Sequence, residues 1–214
     1  MHIAEPVKRQ YRSPLREEAA RATRRAIVDA ARDLFVERGY VATPLTAVAD
    51  EAGVSVQTIY AQFGTKAALL KVVADQTLAG DDRAVSINER DEARRIWEAT
   101  EPREMLRRGA ALTTLLHGRV ASLDAVLLEA GATDPEVAEL VEKGLEQRRT
   151  TARMIVGELE ARGWLQPGLD HAEAELRMQV FLDTSLYRIS VVDRGLPPER
   201  FEDWLADLMA ASLL

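Results

Sequence analysis

The side chains best equipped to recognise another molecule are gathered in one uncharged stretch, Ser55-Val56-Gln57-Thr58-Ile59-Tyr60-Ala61-Gln62-Phe63. It combines primary amides, hydroxyls and methyl-bearing groups, which read base edges in a DNA major groove through hydrogen bonds and apolar contacts. In helical register Ile59 and Phe63 stand four apart on one face, suited to burial, which leaves Val56, Gln57, Thr58, Tyr60, Ala61 and Gln62 outward. Gln57 can pair bidentately with adenine, and Val56, Thr58 and Ala61 can meet thymine methyls. No Lys or Arg occurs from Ala52 to Thr65. Phosphate neutralisation, the main source of affinity for DNA, must therefore come from the flanks: Lys66, Arg24 or Arg25, and the amides at helix starts capped by Thr43, Ser55 and Thr65.

Other chemistry finds little support. The three histidines, His2, His117 and His171, are isolated and lack metal-ligand spacing. No GxSxG, GxGxxG or phosphate-binding loop occurs, and acidic pairs such as Glu89/Glu92 and Glu136/Glu139 sit among charged neighbours like solvated helix faces. No catalytic residue, metal site or cofactor is expected. Cysteine is absent, which removes disulfides and thiolate nucleophiles and fits a reducing cytoplasm. The N-terminus has no apolar signal region, and Gly, Ser, Gln and Thr interrupt the longest uncharged run, so neither a leader nor a spanning helix is expected, and no membrane partner.

Charge is unevenly spread. The chain carries -7, yet its first 25 residues hold Lys8, Arg9, Arg12, Arg16, Arg21, Arg24 and Arg25 against Glu5, Glu17 and Glu18. Such a basic end can serve nucleic-acid binding or be an inert solvated tail, and Lys8, Arg9 and Arg12 can either reach a minor groove or stay free.

The elements that position these groups all read as helices, because apolar residues recur at three and four and no alternating β-branched run appears. A first helix spans 14–38, with Ile27, Ala31, Leu34 and Phe35 on one face and Gly39 as its stop. Thr43 caps a short helix through Glu51; Gly53 turns the chain; Ser55 caps the next short helix, which Gly64 ends and Thr65 follows with another cap. Two short helices joined by a tight glycine turn make a helix-turn-helix. Further helices are expected over 65–78, 89–100, 102–118, 122–130 and 135–162. Segments 176–192 and 197–214 are apolar over so wide an arc that a subunit interface is implied.

The segment from Thr23 to Leu70 resembles the DNA-binding domain of TetR-family transcriptional regulators. The resemblance rests on Ile27-x-x-Ala30-Ala31-x-x-Leu34-Phe35, Gly39-Tyr40, Leu45-x-x-Val48-Ala49, Ala52-Gly53-Val54-Ser55, Thr58-Ile59-Tyr60, Phe63, and Lys66 with Leu69-Leu70. Gln57 stands where many members have Gly, Gln62 where His is frequent, and Pro44 where Thr or Ser is usual. Asp134-Pro135, Arg148-Arg149, Gly163-Trp164-Leu165 and the closing Trp204-Leu205 are similar to the family in layout.

Membership implies an all-α homodimer: a basic arm over 1–15, a helix-turn-helix head over 16–64 and an effector-binding and dimerisation body over 65–214. It implies a double-stranded operator with inverted repeats, bound by a bacterial cytoplasmic repressor that a small molecule releases. The resemblance also gives the Tyr60 hydroxyl a phosphate contact. Thr43, Ser55, Val56, Gln57, Thr58, Tyr60, Ala61, Gln62 and Lys66 form the expected DNA site. Trp97, Met105, Thr113, His117, Met154 and Tyr187 put aromatic, soft or hydrogen-bonding groups among apolar helices, as an effector pocket does; plain core packing accounts for them as well. The last helices nominate Val180, Thr184, Tyr187, Phe201, Trp204, Leu205 and Leu208 for the dimer interface. The rival readings are an enzyme, or a helical adaptor or small-molecule binder that needs no DNA.

Overall fold

The computed structural model describes residues 14–83 and 86–214, so the candidate arm residues Lys8, Arg9 and Arg12 lie outside the described residues. Among the described residues the chain is helical and contains no strand. The helices are α1 (Pro14–Arg38), α2 (Leu45–Glu51), α3 (Val56–Phe63), α4 (Lys66–Ala79), α5 (Asp91–Trp97), α6 (Pro102–Gly131), α7 (Pro135–Ala161), α8 (His171–Phe181), α9 (Thr184–Tyr187) and α10 (Pro198–Leu213). A short 3₁₀ turn, Ile87–Glu89, precedes α5, and a π-helical turn, Arg188–Asp193, follows α9.

Local chemistry explains most boundaries. The Ser55 hydroxyl accepts from the Thr58 amide at 3.2 Å and the Thr65 hydroxyl from the Ala68 amide at 3.0 Å, so each cap satisfies a donor that the first helical turn leaves open. Asp134 accepts from the Glu136 amide at the start of α7, with Pro135 in the first helical position. Gly53, with φ +66°, turns the chain between α2 and α3.

Thr43 departs from expectation. It does not cap α2, whose N-cap is Pro44. Its side chain is fully buried and its hydroxyl donates to the carbonyls of Gly39 at 2.8 Å and Leu34 at 3.2 Å. The hydroxyl thus closes the carbonyl end of α1, and a side chain so buried has no face to offer DNA.

Two other boundaries moved. The helices expected over 102–118 and 122–130 are one continuous α6, because Gly118 carries the helix on and leaves room for the Tyr187 hydroxyl, 3.0 Å from where a Cβ would stand. Conversely the apolar segment 176–192 is not one helix. Asp183 interrupts it by accepting from the Ser185 amide as the N-cap of α9, and the chain then widens into the π turn.

Two cores result. One joins α1 to α4 through Ile27, Phe35, Ile59, Leu69 and Leu70, and is closed by Leu123, Val126 and Ala130 of α6 and Val137 of α7. The other packs α6, α7, α8 and α10 around Met105, Val156, Met178, Phe201 and Leu205. By length and composition α6 qualifies to cross a membrane, against the expectation from sequence. The fold uses it as the central strut, with Leu106, Ala110, Leu123 and Val126 buried against its neighbours.

Gly80 shows how the strut grips α4. It ends α4 with φ +78°, and the Arg119 guanidinium of α6 donates to the Leu78 and Ala79 carbonyls at 3.2 and 2.9 Å. A Cβ at Gly80 would stand 2.7 Å from that guanidinium, whereas one at Gly53 would meet nothing within 4 Å. Gly53→Ala should therefore cost roughly 1–2 kcal/mol, the left-handed backbone penalty alone, and Gly80→Ala roughly 1 kcal/mol more as Arg119 is displaced. Urea midpoints of the two variants test this; equal shifts would mean that Arg119 yields freely.

Candidate nucleic-acid interface

Within the head, α3 packs by Ile59 and Phe63, both buried, against the core that α1 supplies. Ser55, Gln57, Tyr60 and Ala61 are exposed, Tyr60 to 54%, and Val56, Thr58 and Gln62 are half-buried. The outward set is therefore the one the helical register predicts, with a qualification for Val56, which also packs on the head core. Ser55 and Thr58 share a hydrogen bond between hydroxyls at 2.9 Å, which holds both side chains at the helix start.

The flanking cations are placed differently from expectation. Lys66 turns inward: its ammonium donates to the Tyr40 carbonyl and lies 4.1 Å over the Tyr40 ring. Burial lowers its pKa, with Asp134 opposing the shift. Lys66 fastens α4 to the loop after α1 and is not held out toward a phosphate. Arg24 sits 4.3 Å over the Phe63 ring with its guanidinium 3.5 Å from the Gln62 carbonyl, placing a cation beside the C-terminal end of α3. Arg25 pairs with Asp82 at 3.7 Å across an exposed surface, an arrangement of little energetic weight.

A small polar junction ties head to body. The Tyr40 hydroxyl donates to the Asp134 carboxylate at 2.7 Å, and the Thr65 hydroxyl donates to Glu136 at 2.9 Å. Burial first, then Asp134, push the Tyr40 hydroxyl pKa up. Sequence patterns gave no signal for this junction, because its partners are 94 and 71 positions apart.

In the body, the six candidate pocket residues do not converge. His117 and Tyr187 come together, ring centroids 6.3 Å apart and edge to face, and Thr113 is buried on the same helix. Met105 is core, Trp97 lies half-buried at the end of α5, and Met154 is 48% exposed; Met154 is thereby removed from any interior site, since its position on α7 faces outward. None of the six lines either of two surface depressions, one of about 230 Å³ bounded by Ser190, Leu196, Arg200 and Trp204, the other of about 40 Å³ between Ile87, Arg90, Leu112, Leu115 and Arg119.

The interface candidates divide as well. Tyr187, Phe201 and Leu205 are buried within their own subunit, stacked in the second core, so they cannot meet a partner. Val180 and Trp204 are exposed, and Thr184 and Leu208 are half-buried. Leu176 and Val192, the ends of the apolar segment from which the sequence implies an interface, are also exposed; nothing in the sequence marks which side of so wide an apolar segment faces out.

With this geometry in place, comparison with known proteins is decisive for the head. Residues 27–73 match the family described as "Bacterial regulatory proteins, tetR family". They form a tetR-family domain. No curated protein matches the sequence. Among solved structures, native NalD, the secondary repressor of the MexAB-OprM multidrug efflux pump in Pseudomonas aeruginosa, superposes with a TM-score of 0.72 at 21% identity, covering 91% of this chain and 98% of that one. A transcriptional regulator from Saccharomonospora viridis in complex with choline gives 0.67 at 20% identity over 92% and 98%. AibR, in complex with isovaleryl coenzyme A and operator DNA, gives 0.64 at 18% identity over 89% and 99%. These likenesses establish that the whole chain, not only the tetR-family domain, has the fold of such regulators.

Two measurements test the packing around these sites. Tyr40→Phe should lower stability by about 1 kcal/mol, and a double-mutant cycle should couple Tyr40 to Asp134; additive effects would remove the junction. Burial, then the charge of Arg148, lowers the His117 pKa to about 4, against opposing pulls from Asp183 and the Leu182 backbone. Folded His117 therefore stays neutral where the unfolded residue, with a pKa near 6.5, binds a proton. Stability is full above about 6.5 and falls as pH drops toward 4, by on the order of 3 kcal/mol. The exposed His171 works oppositely: hydrogen bonds to Glu160 and then Glu175 raise its pKa, so its small contribution is present at low pH and lost as pH rises through the folded value. His117→Phe should flatten the acid limb measured by urea titration between pH 4 and 7; an unchanged limb would assign it to other groups.

Proposed function

We propose that the protein is a homodimeric transcriptional repressor whose two heads read an inverted-repeat operator and which a small molecule releases. The observation that carries this reading is the exposed, uncharged ridge of α3, with Gln57, Tyr60 and Ala61 outward and Ile59 and Phe63 buried, inside a tetR-family domain. Gln57 pairs with a base edge, Thr58, Ala61 and the outer part of Val56 contact thymine methyls, and the Tyr60 hydroxyl meets a phosphate. Ser55 and Gln62 flank the contact, while Thr43 and Lys66, turned into the head, support it from behind.

A two-fold dimer places two such ridges about one helical turn apart, which matches an inverted repeat. Leu176 and Val180 of α8, Val192 of the π turn and Trp204 of α10 supply exposed apolar residues for the dimer, with Thr184 and Leu208 half-buried beside them. The effector acts by binding one of two conformations of the body and changing the separation of the heads. Of two solved structures of the same fold, one is in complex with choline and the other with isovaleryl coenzyme A and operator DNA, which supports a small-molecule ligand without specifying one here. The protein acts in the cytoplasm, where its operator is, and performs no catalysis. A helical adaptor independent of DNA is the rival, and it predicts no role for the outward face of α3.

Genomic fragments captured by the wild type and by Gln57→Ala/Tyr60→Ala at two salt concentrations separate the two. The wild type should enrich a palindrome with affinity falling steeply as salt rises, and the variant should lose it while keeping its fold. Enrichment of asymmetric single sites would contradict the dimer, and equal enrichment by both proteins would remove α3 as the reading element.

A further inference from the structure

Among the described residues of the body, Nδ1 of His117 and Oγ1 of Thr114 are buried with no hydrogen-bond partner. Both residues belong to α6, three apart and hence on one face, and they are only 8% and 7% exposed. Buried polar groups left unpaired are uncommon because each forfeits its hydration without return. A threonine within a helix normally has a remedy, donating to the carbonyl four residues back; Thr114 does not take it.

The surroundings are built around these atoms. The Tyr187 ring meets His117 edge-on, its hydroxyl reaching across to Gly118. Immediately after Tyr187 the chain enters the π turn Arg188–Asp193, a form that recurs at functional positions because it shifts side chains out of regular register. Burial keeps the His117 ring neutral, so one ring nitrogen is a donor and the other an acceptor. The Leu182 backbone acts on the ring as an acceptor would and Nδ1 has no partner, so the tautomer that suits the site carries its proton on Nε2 and leaves Nδ1 as the acceptor. The charges that act on the ring, Arg148 from α7 and Asp183 ahead of α9, are of opposite sign, so the locality favours neither an anion nor a cation.

We propose that Thr114 and His117 are the polar anchor of the effector site, and that the effector is an uncharged, largely apolar molecule presenting a hydroxyl or N–H donor. The donor hydrogen-bonds to His117 Nδ1, and Thr114 Oγ1 completes the pair as donor or acceptor. Neither surface depression is lined by Thr114 or His117, and in the proposed mode binding parts α6 from α9 and the π turn, the conformational change the effector drives. The assignment rests on the reading that the body takes a small molecule.

The test uses the full-length protein labelled with ¹⁵N in its histidine rings, where only His2, His117 and His171 contribute and His117→Gln identifies the resonance. The probes are matched pairs with and without the donor: p-cresol against toluene, and cyclohexanol against methylcyclohexane. The hydroxyl-bearing member should bind about tenfold more tightly in at least one pair, moving the His117 Nδ1 resonance toward that of an accepted hydrogen bond. Thr114→Val and His117→Gln should each reduce the preference, and Thr114→Ser should retain it.

A probe-free Nδ1 resonance already at the position of an accepted bond, and unmoved by the probes, would mean a buried water only and overturn the proposal. Equal binding within both pairs, or no binding, would overturn it too. The broader reading is tested separately with captured operator DNA. Release by a compound indifferent to Thr114→Val and His117→Gln leaves an effector but refutes this site, whereas cresol binding at His117 that never alters DNA affinity keeps the site and refutes its regulatory role.

Discussion

An eight-residue helix is too short to persist in water by its own hydrogen bonds, and α3 has only that length. Its shape depends on burying Ile59 and Phe63 against α1 and on caps from Ser55 and the Gly64 turn. Those two apolar anchors leave five or six positions free of structural duty, so the outward face can carry whatever chemistry recognition demands. Arg24 over the Phe63 ring adds to the same anchor from the side, joining packing to charge at the point where α3 ends.

The head does not complete its own core. Leu123, Val126 and Ala130 near the end of α6 and Val137 at the start of α7 close it from the body, and the polar contacts of Tyr40 with Asp134 and Thr65 with Glu136 lie at the same seam. A shift of α6 relative to α7 would therefore be felt by the head at once, through packing that has no slack. Arg119 strengthens the link: two residues beyond His117 on α6, it caps the far end of α4. The helix that carries the unpaired polar atoms thus also holds α4 and the head core. A change of α6 position needs no long relay to reach α3.

Legibility in the sequence followed the range of the interactions involved. The boundaries of α1, α3 and α4 were readable because Gly39, Ser55, Gly64 and Thr65 act within a few residues of themselves, and the inward face of α3 follows from a four-residue spacing. Thr43 misled because a threonine before proline resembles a cap, while its hydroxyl is drawn backward to α1 by carbonyls that only the folded turn brings near. Lys66 misled for a similar reason: its partner, Tyr40, comes from a loop distant in sequence. Gly118 was read as a stop, though its missing side chain serves Tyr187. In the body the wide apolar segments give no clue to which face meets the subunit's own core, so the sequence nominates Phe201 and Leu205, which are buried, and does not single out the exposed Leu176 and Val192 within theirs.

The absence of charge on α3 has a physical rationale that bears on how such a protein selects a site. Phosphate contacts raise affinity for all DNA alike, whereas amide, hydroxyl and methyl groups discriminate between bases. A reading helix rich in lysine would strengthen non-specific binding as much as specific binding, and a chain with net charge -7 gains little long-range attraction to DNA in any case. Lys66 is folded onto Tyr40 and Arg25 lies near Asp82, so neither stands beside the bases that α3 would meet. In the proposed reading, phosphate contacts supply an affinity common to all DNA, while discrimination between sites rests on the fit of Gln57, Thr58, Tyr60 and Ala61 to base edges and on two heads acting together. A dimer whose affinity rests on simultaneous engagement of both heads is also the arrangement most sensitive to a change in their spacing, because losing one contact forfeits the effective concentration that secured the other.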